Sequence, residues 1–325
     1  MDDKMYKQIF KEIKKHKNIV IARHVRVDPD AMASQCALRD SIKLTFPDKN
    51  VYAIGAGTVR FNYMGKLDRG VNFDELEDIL LIVTDTPDKK RVDMSELTHY
   101  ESSIKIDHHI YMETFCDIEL IETHKSSAAE MIYDLIKNTK LKMNKEIAEI
   151  LYVGICGDTN RFLVNTAPST YNVVHELISN YQIDTVKCHQ NLYKRSFSEV
   201  ELLGYMSSNM KITDNGVGYV KIDESIIKKY NVDTISTGDL VNNFNNVNEL
   251  LVWLTATEDV KNSCIRVSIR SRGPIVNKVA ERFNGGGHKF ASGARVPSFE
   301  EVDDLIKELD KLCIKYIESC DEDEN

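Results

Sequence analysis

Short aliphatic runs that each end on an aspartate or a histidine constrain this chain more than any other feature. Residues 18–23 (Asn-Ile-Val-Ile-Ala-Arg) lead into His24, residues 79–84 (Ile-Leu-Leu-Ile-Val-Thr) into Asp85, and residues 104–106 (Ile-Lys-Ile) into Asp107-His108-His109. Residues 51–55 and 118–121 carry the same strand pattern. Between them the apolar period changes to that of a helix. Tyr6, Ile9, Phe10 and Ile13 predict a helix over 3–17, and Ala33, Ala37, Leu38, Ile42 and Phe46 share one face of another. Further helices are expected over 126–138, 144–156 and 168–180. Strands alternating with helices imply an α/β fold: a mostly parallel sheet with helices on both faces. Ligands of such sheets bind beyond the carboxyl ends of the strands. His24, Asp85 and Asp107 all fall at predicted strand ends, which points to one rim.

The pattern changes after about residue 185. Residues 185–208 read as helical, 216–222, 250–257 and 262–270 as strands separated by Asn- and Asp-rich turns, and 274–283 and 299–318 as helices. This predicts a second, smaller α/β domain with a mixed sheet. The expected division is 1–190 for the first domain, 191–200 for a linker and 201–325 for the second domain with an acidic tail. That tail, Glu318 and Asp321 to Glu324, is expected to be solvated and frayed.

Composition narrows the function. The 325 residues carry a net charge of −9, which argues against duplex DNA held by broad phosphate neutralisation but leaves room for a small anionic substrate. The longest apolar run, Ile79 to Val83, is far short of the ~20 residues a membrane helix needs. The acidic start Met1-Asp2-Asp3 does not resemble a secretion signal. Seven cysteines with no Cys-x-x-Cys pair argue against a disulfide framework and suit a reducing, cytoplasmic setting. A homodimer is compatible with the sequence, which fixes no oligomeric state.

His24-x3-Asp28-x-Asp30 offers one imidazole and two carboxylates, a mixed ligand set that suits Mn²⁺ and, less selectively, Mg²⁺, Fe²⁺ or Zn²⁺. Taken alone, it reads more simply as a polar loop with Asp30 capping a helix. Asp85 alone is equally a turn former. Asp107-His108-His109 is less common, since a carboxylate beside a histidine is a usual support for a metal ligand. A surface histidine pair fits it as well. Asp158, in Gly154-Ile155-Cys156-Gly157-Asp158-Thr159, follows a helix end that Gly157 could cap. Arg270-Ser271-Arg272 places two guanidiniums at a strand end, suited to phosphate oxygens. Gly285-Gly286-Gly287-His288 is a flexible run whose amides can approach an anion closely, or a plain loop.

In combination and order, these segments resemble the DHH phosphoesterase superfamily with its DHH-associated C-terminal domain, over roughly residues 18–295. The first motif, His24 to Ala31, is most similar to the stand-alone branch of oligoribonucleases, pAp phosphatases and linear-dinucleotide phosphodiesterases. The resemblance implies that His24, Asp28 and Asp85 hold one divalent ion. Asp30, Asp85, His108 and Asp158 hold a second, with Asp85 bridging. Both ions are most simply Mn²⁺. It also implies that His109 faces the phosphate, that Asp107 orients the histidine pair, and that Asp85, Asp107 and His109 make up the catalytic group. Arg270, Ser271, Arg272, Gly285, Gly286, Gly287 and His288 would bind substrate, with the active site in a cleft between the domains. Two positions depart from the family pattern: Val27 stands where Pro is usual and Ala33 where Gly is usual.

The implied reaction is hydrolysis of short oligoribonucleotides or 5′-pApA to mononucleotides, and of 3′-phosphoadenosine 5′-phosphate (pAp) to AMP. Two ions ~3.5–4 Å apart can activate water and clamp a phosphoryl oxygen without a protein nucleophile. Cyclic di-AMP hydrolysis, pyrophosphatase- or exopolyphosphatase-like activity, and nucleotide binding without catalysis are the alternatives. The complete ligand set argues against the last.

Overall fold

A computed structural model describes residues 3–95 and 97–323, and the chain divides into two units, one up to Lys194 and one from Arg195 on. In order, the first contains α1 (Asp3–Lys15), β1 (Asn18–Ala22), α2 (Pro29–Thr45), β2 (Asn50–Ala53), β3 (Ile79–Thr84), β4 (Ser102–Asp107), β5 (Ile118–Ile121), α3 (Ala128–Lys137), α4 (Lys145–Asp158), α5 (Pro168–Tyr181) and α6 (Thr185–Tyr193). Its five strands lie in the order β2-β1-β3-β4-β5 and every pair is parallel. β1 and β3 are buried along their whole length, which is why their sequences are apolar apart from Asn18 and Thr84 at their ends.

Alternate residues of these strands enter two different cores. Ile19, Ile21, Leu80, Ile82, Ile104 and Ile106 pack beneath the α-helices, with Ile9 and Ile13 of α1, Leu38 of α2, Ile132 of α3 and Leu151 of α4. Val20, Ala22, Ile79, Leu81 and Val83 face the other way, against Phe73, Leu97 and Cys116. That second face is covered by the 55–100 region, whose helical pieces are short 3₁₀ turns at Val59–Met64, Phe73–Glu75 and Lys89–Arg91. The order 2-1-3 places a topological switch point between β1 and β3, where neighbouring connections depart in opposite directions and leave a crevice at the strand ends.

The second unit contains α7 (Phe197–Asn209), β6 (Lys211–Ile212), β7 (Val217–Ile222), α8 (Glu224–Tyr230), α9 (Thr234–Leu240), β8 (Val252–Asp259), β9 (Cys264–Ser271), α10 (Asn277–Arg282), β10 (Gly286–His288), β11 (Ala291–Val296) and α11 (Phe299–Asp323). Its sheet runs β10-β11-β9-β8-β7-β6, mixed because β7 and β8 are parallel and the other pairs antiparallel. Val302, Leu305 and Leu309 of α11 pack on one face, and Leu202 and Met206 of α7 on the other.

Several local expectations are corrected. Gly286–His288 is a strand paired with β11, not a loop, and β11 itself carries too little apolar alternation to stand out. Part of the Asn- and Asp-rich stretch forms α8 and α9, because Asp223 caps α8 and its apolar residues pack inward. The acidic tail is helical as far as Asp323, and Glu324 lies outside the described residues.

Candidate metal centre

The site grows from three strand ends and two helix ends. Past β1, the ring nitrogen Nδ1 of His24 lies 2.7 Å from the Val25 carbonyl. Donation there leaves Nε2 as the ring's other face, 3.3 Å from Asp28 Oδ2 and 3.3 Å from Asp85 Oδ2. Asp28 caps α2, accepting from Ala31 N at 2.9 Å, so it takes the capping role expected of Asp30; Pro29 follows it in the first turn. Asp30 is fully buried one residue further on. Its Oδ2 accepts from Ala128 N at 2.7 Å and its Oδ1 from Ala129 N at 2.8 Å, both at the start of α3.

Asp85 immediately follows β3 with a φ of +52°, a left-handed conformation that aspartate enters more readily than most residues with a side chain. Its backbone donates to Ile106 O at 2.9 Å, tying it to β4. Its two carboxylate oxygens serve different neighbours: Oδ2 faces His24, while Oδ1 lies 3.4 Å from His108 Nε2 and 3.5 Å from His109 Nδ1. His108 Nε2 also lies 3.3 Å from Asp158 Oδ2 and 3.9 Å from Asp30 Oδ2. Its other nitrogen is 3.4 Å from the Lys125 carbonyl. Asp107, the last residue of β4, accepts from His109 Nδ1 at 2.7 Å and from His109 N at 3.3 Å. Its hydrogen bonds orient His109, while the Lys125 carbonyl is the one beside His108.

Asp158 is the last residue of α4, so Gly157 is inside the helix and not its cap. The reason for glycine there is contact: a β-carbon on Gly157 would come within 2.6 Å of Pro29 Cβ. At Gly154 it would come within 2.7 Å of Ala33 Cβ and 2.6 Å of Ala129 Cβ. The close approach that a glycine at position 33 would have allowed is provided instead by Gly154 on the facing helix.

Three groups each converge with their ligand atoms within 4.8 Å of one another: His24, Asp28 and Asp85; Asp30, His108 and Asp158; and Asp85, His108 and His109. The electrostatics ask for cations. Burial, with Asp85 and Asp158 adding to it, pushes the Asp30 pKa well above the usual carboxylate range. Burial, helped by Asp28 and Asp85 against the pull of His108, pushes Asp158 up to about 7. Burial works against charge on His24 and His108, yet the surrounding aspartates raise both well above the ordinary histidine value. Asp85 moves the other way: burial opposes its charge, but His108 and His24 hold it far below the usual range. Asp85 Oδ1 is buried with no hydrogen-bond partner. Lone pairs from several carboxylates and imidazoles aimed at common points repel unless protons or metal ions lie between them. The donor set, all nitrogen and oxygen, fits hard or borderline divalent ions.

In the second unit, His288, Ala291 and Arg270 are register partners across β10, β11 and β9. They therefore share one sheet face, with His288 and Arg270 two strand spacings apart, about 10 Å. Arg270 Nε donates to Asn242 Oδ1 at 2.8 Å. Ser271 and Arg272 are engaged by the fold itself. The Ser271 hydroxyl donates to Pro274 O at 2.6 Å, and Arg272 Nη2 donates to Asn245 O and Val247 O at 2.6 and 3.0 Å. Gly285 is required sterically, since a β-carbon there would come within 2.0 Å of Gly293 O. Gly286 and Gly287 hold φ of +158° and +134° in the β10–β11 hairpin, and His288 is exposed.

Sequence reading missed the supports. Glu130 is fully buried and accepts from Ser126 N, Ser126 Oγ and Thr170 Oγ1 at 3.1, 2.7 and 2.8 Å. It thereby fixes the turn whose amides hold Asp30. Ser127-x-x-Glu130 at a helix start was the available signal, because that spacing marks a capped N-terminus. Arg23, fully buried, donates to Asp93 Oδ2 at 2.6 Å and to His24 O at 3.0 Å, bracing the first loop. No local pattern announces it.

Known proteins resemble this chain over nearly its whole length. Residues 18–155 match the model of the DHH family N-terminal domain, and residues 215–315 match the DHHA1 domain. A Bacillus subtilis protein named bifunctional oligoribonuclease and PAP phosphatase NrnA is 34% identical, over 96% of this chain and 100% of that one. A Streptococcus mutans protein named as a probable counterpart is 33% identical over 94% and 98%. The crystal structure of an exopolyphosphatase-related protein from Bacteroides fragilis superposes with a TM-score of 0.82 at 26% identity, covering 95% of this chain and 97% of that one. Fold and site together define a metal-dependent hydrolase of phosphate esters. The chain belongs to the DHH phosphoesterase family, with its N-terminal domain and its DHHA1 domain both present.

Proposed function

We propose that this protein hydrolyses the phosphodiester bonds of short oligoribonucleotides and of pApA to give mononucleotides, and converts pAp to AMP. The observation that carries the reading is Asp85. Its two oxygens address two separate ligand groups, His24 with Asp28 and His108 with Asp30 and Asp158. His24, Asp28 and Asp85 would hold one divalent ion, and Asp30, Asp85, His108 and Asp158 a second, with Mn²⁺ the favoured metal. Such ions supply an activated water and Lewis-acid stabilisation of the phosphoryl oxygens.

The chain's own groups prepare that chemistry. Asp107 fixes the His109 ring through Nδ1 beside Asp85, which supports a role for His109 in hydrogen-bonding a phosphate oxygen. The α3 amides hold Asp30 in one orientation, and the left-handed turn at Asp85, tied to β4 through its backbone amide, helps to aim its carboxylate. Arg270 and His288, on one sheet face, are the candidates for binding the substrate's phosphates.

The net charge of −9 favours short substrates over long polymers or duplex DNA. The seven free cysteines suit a cytoplasmic protein, and among the described residues no helix is long and apolar enough to cross a membrane. The test is a product time course on pAp, pApA, a pentaribonucleotide, cyclic di-AMP and pyrophosphate with Mn²⁺. Release of mononucleotides from the pentamer and of AMP from pAp is expected. Turnover of cyclic di-AMP or pyrophosphate alone would replace this reading.

A further inference from the structure

One residue beyond Thr159, which caps the C-terminal end of α4, the chain turns left-handed: Asn160, Arg161 and Phe162 hold φ of +44°, +64° and +66°. L-residues enter this region singly, and asparagine most readily, so a left-handed run through an arginine and a phenylalanine is costly. It is held by a dense set of bonds: Arg161 N to Cys156 O at 2.9 Å, Phe162 N to Thr159 Oγ1 at 3.0 Å, and Leu163 N and Val164 N to Thr159 O at 2.9 and 3.1 Å. A plain connection from α4 to α5 needs no such turn.

The turn sends side chains to two platforms. The Arg161 guanidinium lies 5.0 Å above the Tyr193 ring. Tyr193 is fixed by its hydroxyl, which donates to Cys156 O at 3.1 Å, and by the His189 ring stacked on it at 5.9 Å and 19°. His189 is in turn 2.9 Å from the Tyr152 hydroxyl. Burial and then the Arg161 charge lower the pKa of His189. Arg161 is solvent-exposed, and its guanidinium lies over an aromatic ring. On the other side, Phe162, followed in sequence by the exposed Leu163 and Val164, pairs with Tyr171 at 5.7 Å, and Tyr171 is 53% exposed.

We propose that this turn is a subsite for single-stranded nucleic acid. Arg161 on Tyr193 would take a backbone phosphate beyond the scissile one, and Phe162 with Tyr171 would take the adjoining base. Aromatic faces for bases beside a fixed guanidinium for the backbone are what single strands require. Arg161 also places positive charge three residues from an aspartate cluster that would otherwise repel a polyanion. The proposal rests on the oligoribonuclease reading above and deepens it: the phosphate meant for Arg161 lies one nucleoside beyond the two that pAp carries, so pAp cannot reach this subsite.

The experiment compares wild type, Arg161→Ala, Arg161→Lys and Tyr171→Ala in two assays. In Mn²⁺, steady-state kinetics are measured on pAp and on the pentaribonucleotide. With chelator present, so that nothing is cleaved, binding of a 3′-fluorescein pentaribonucleotide is followed by anisotropy at several salt concentrations. For Arg161→Ala we expect a loss of about 10-fold or more in kcat/KM on the pentamer, chiefly through KM, with pAp within about twofold. Binding should weaken similarly, and the slope of log K on log salt should fall by about 0.7, the value for one phosphate contact to a single strand. Arg161→Lys should keep the salt slope but bind more weakly, and Tyr171→Ala should weaken binding roughly 5-fold or more. Equal losses on pAp and pentamer, or unchanged binding by Arg161→Ala, overturn the subsite. A wild type that cleaves nothing but shows Arg161-dependent binding would instead overturn the oligoribonuclease reading and leave the subsite standing.

Discussion

Asp85 concentrates the chemistry of the site in one residue. Its two oxygens face His24 on one side and His108 on the other, so Asp85→Ala removes a ligand from both groups. We expect the variant to fold, since Asp85 stands at the sheet rim and not in either core. Hydrolysis should be abolished and bound Mn²⁺ lost, as elemental analysis after gel filtration will show; near-normal turnover by folded variant would refute the two-ion arrangement. The same crowding predicts a pH dependence. His24 and His108 are held protonated above their ordinary range, and Asp158 titrates at about 7 in the metal-free protein. Protons therefore compete with metal, so Mn²⁺ affinity should rise as pH increases from about 6 to 8. Calorimetry in buffers of different ionisation enthalpy should register proton release on binding, and a pH-independent affinity without proton release would contradict it.

The elements matter through how closely α2, α3 and α4 approach one another. Gly154 is where α4 meets Ala33 of α2 and Ala129 of α3, and a β-carbon there would also stand 3.2 Å from Asp30 Oδ1. Gly154→Ala should destabilise the protein by about 1–3 kcal/mol in urea unfolding. It should also reduce hydrolysis, because the overlap displaces a ligand. An unchanged unfolding midpoint would show that the helices adjust freely. Glu130 organises the start of α3. Burial opposes its charge, but Ser126, Thr170 and Lys125 outweigh burial and lower its pKa below the ordinary 4.5. Its contribution to stability is therefore complete above about pH 4.5 and is lost as pH falls through the lower, folded value. Glu130→Gln should cost about 1.5–3 kcal/mol at neutral pH and flatten the acid side of the stability profile. Thermal melts of both proteins between pH 3 and 7 are the measurement.

For the molecule as a whole, the residues assigned to metal lie between 24 and 158, in the first unit, while Arg270 and His288 belong to the second. If the second unit selects the substrate, His288→Ala should lower kcat/KM on pApA by ~10–100-fold, the worth of one hydrogen bond to a charged phosphate. Both metals should remain bound. Kinetics and metal content on one preparation decide it: lost metal would make His288 a ligand, and unchanged kinetics would confine recognition to the first unit.

By itself the sequence determined the features that have a local signature. Strand period, the largely apolar β1 and β3, and polar residues at strand ends all act through adjacent backbone, so the parallel sheet and the candidate rim at its strand ends could be read from 18–24, 79–85 and 104–109. Only tertiary structure decided what depends on residues distant along the chain. That Asp28 and not Asp30 caps α2 follows from Asp30 being claimed by amides about a hundred residues away. That Gly157 admits Pro29 instead of ending a helix, that His288 and Arg270 share one row through Ala291, and that Arg161 lies on Tyr193 are likewise contacts between separate elements. The physical reason is range. Propensity and periodicity are set by near neighbours, whereas a ligand's orientation, a glycine's necessity and a buried charge's partner are set by whatever folding brings beside them.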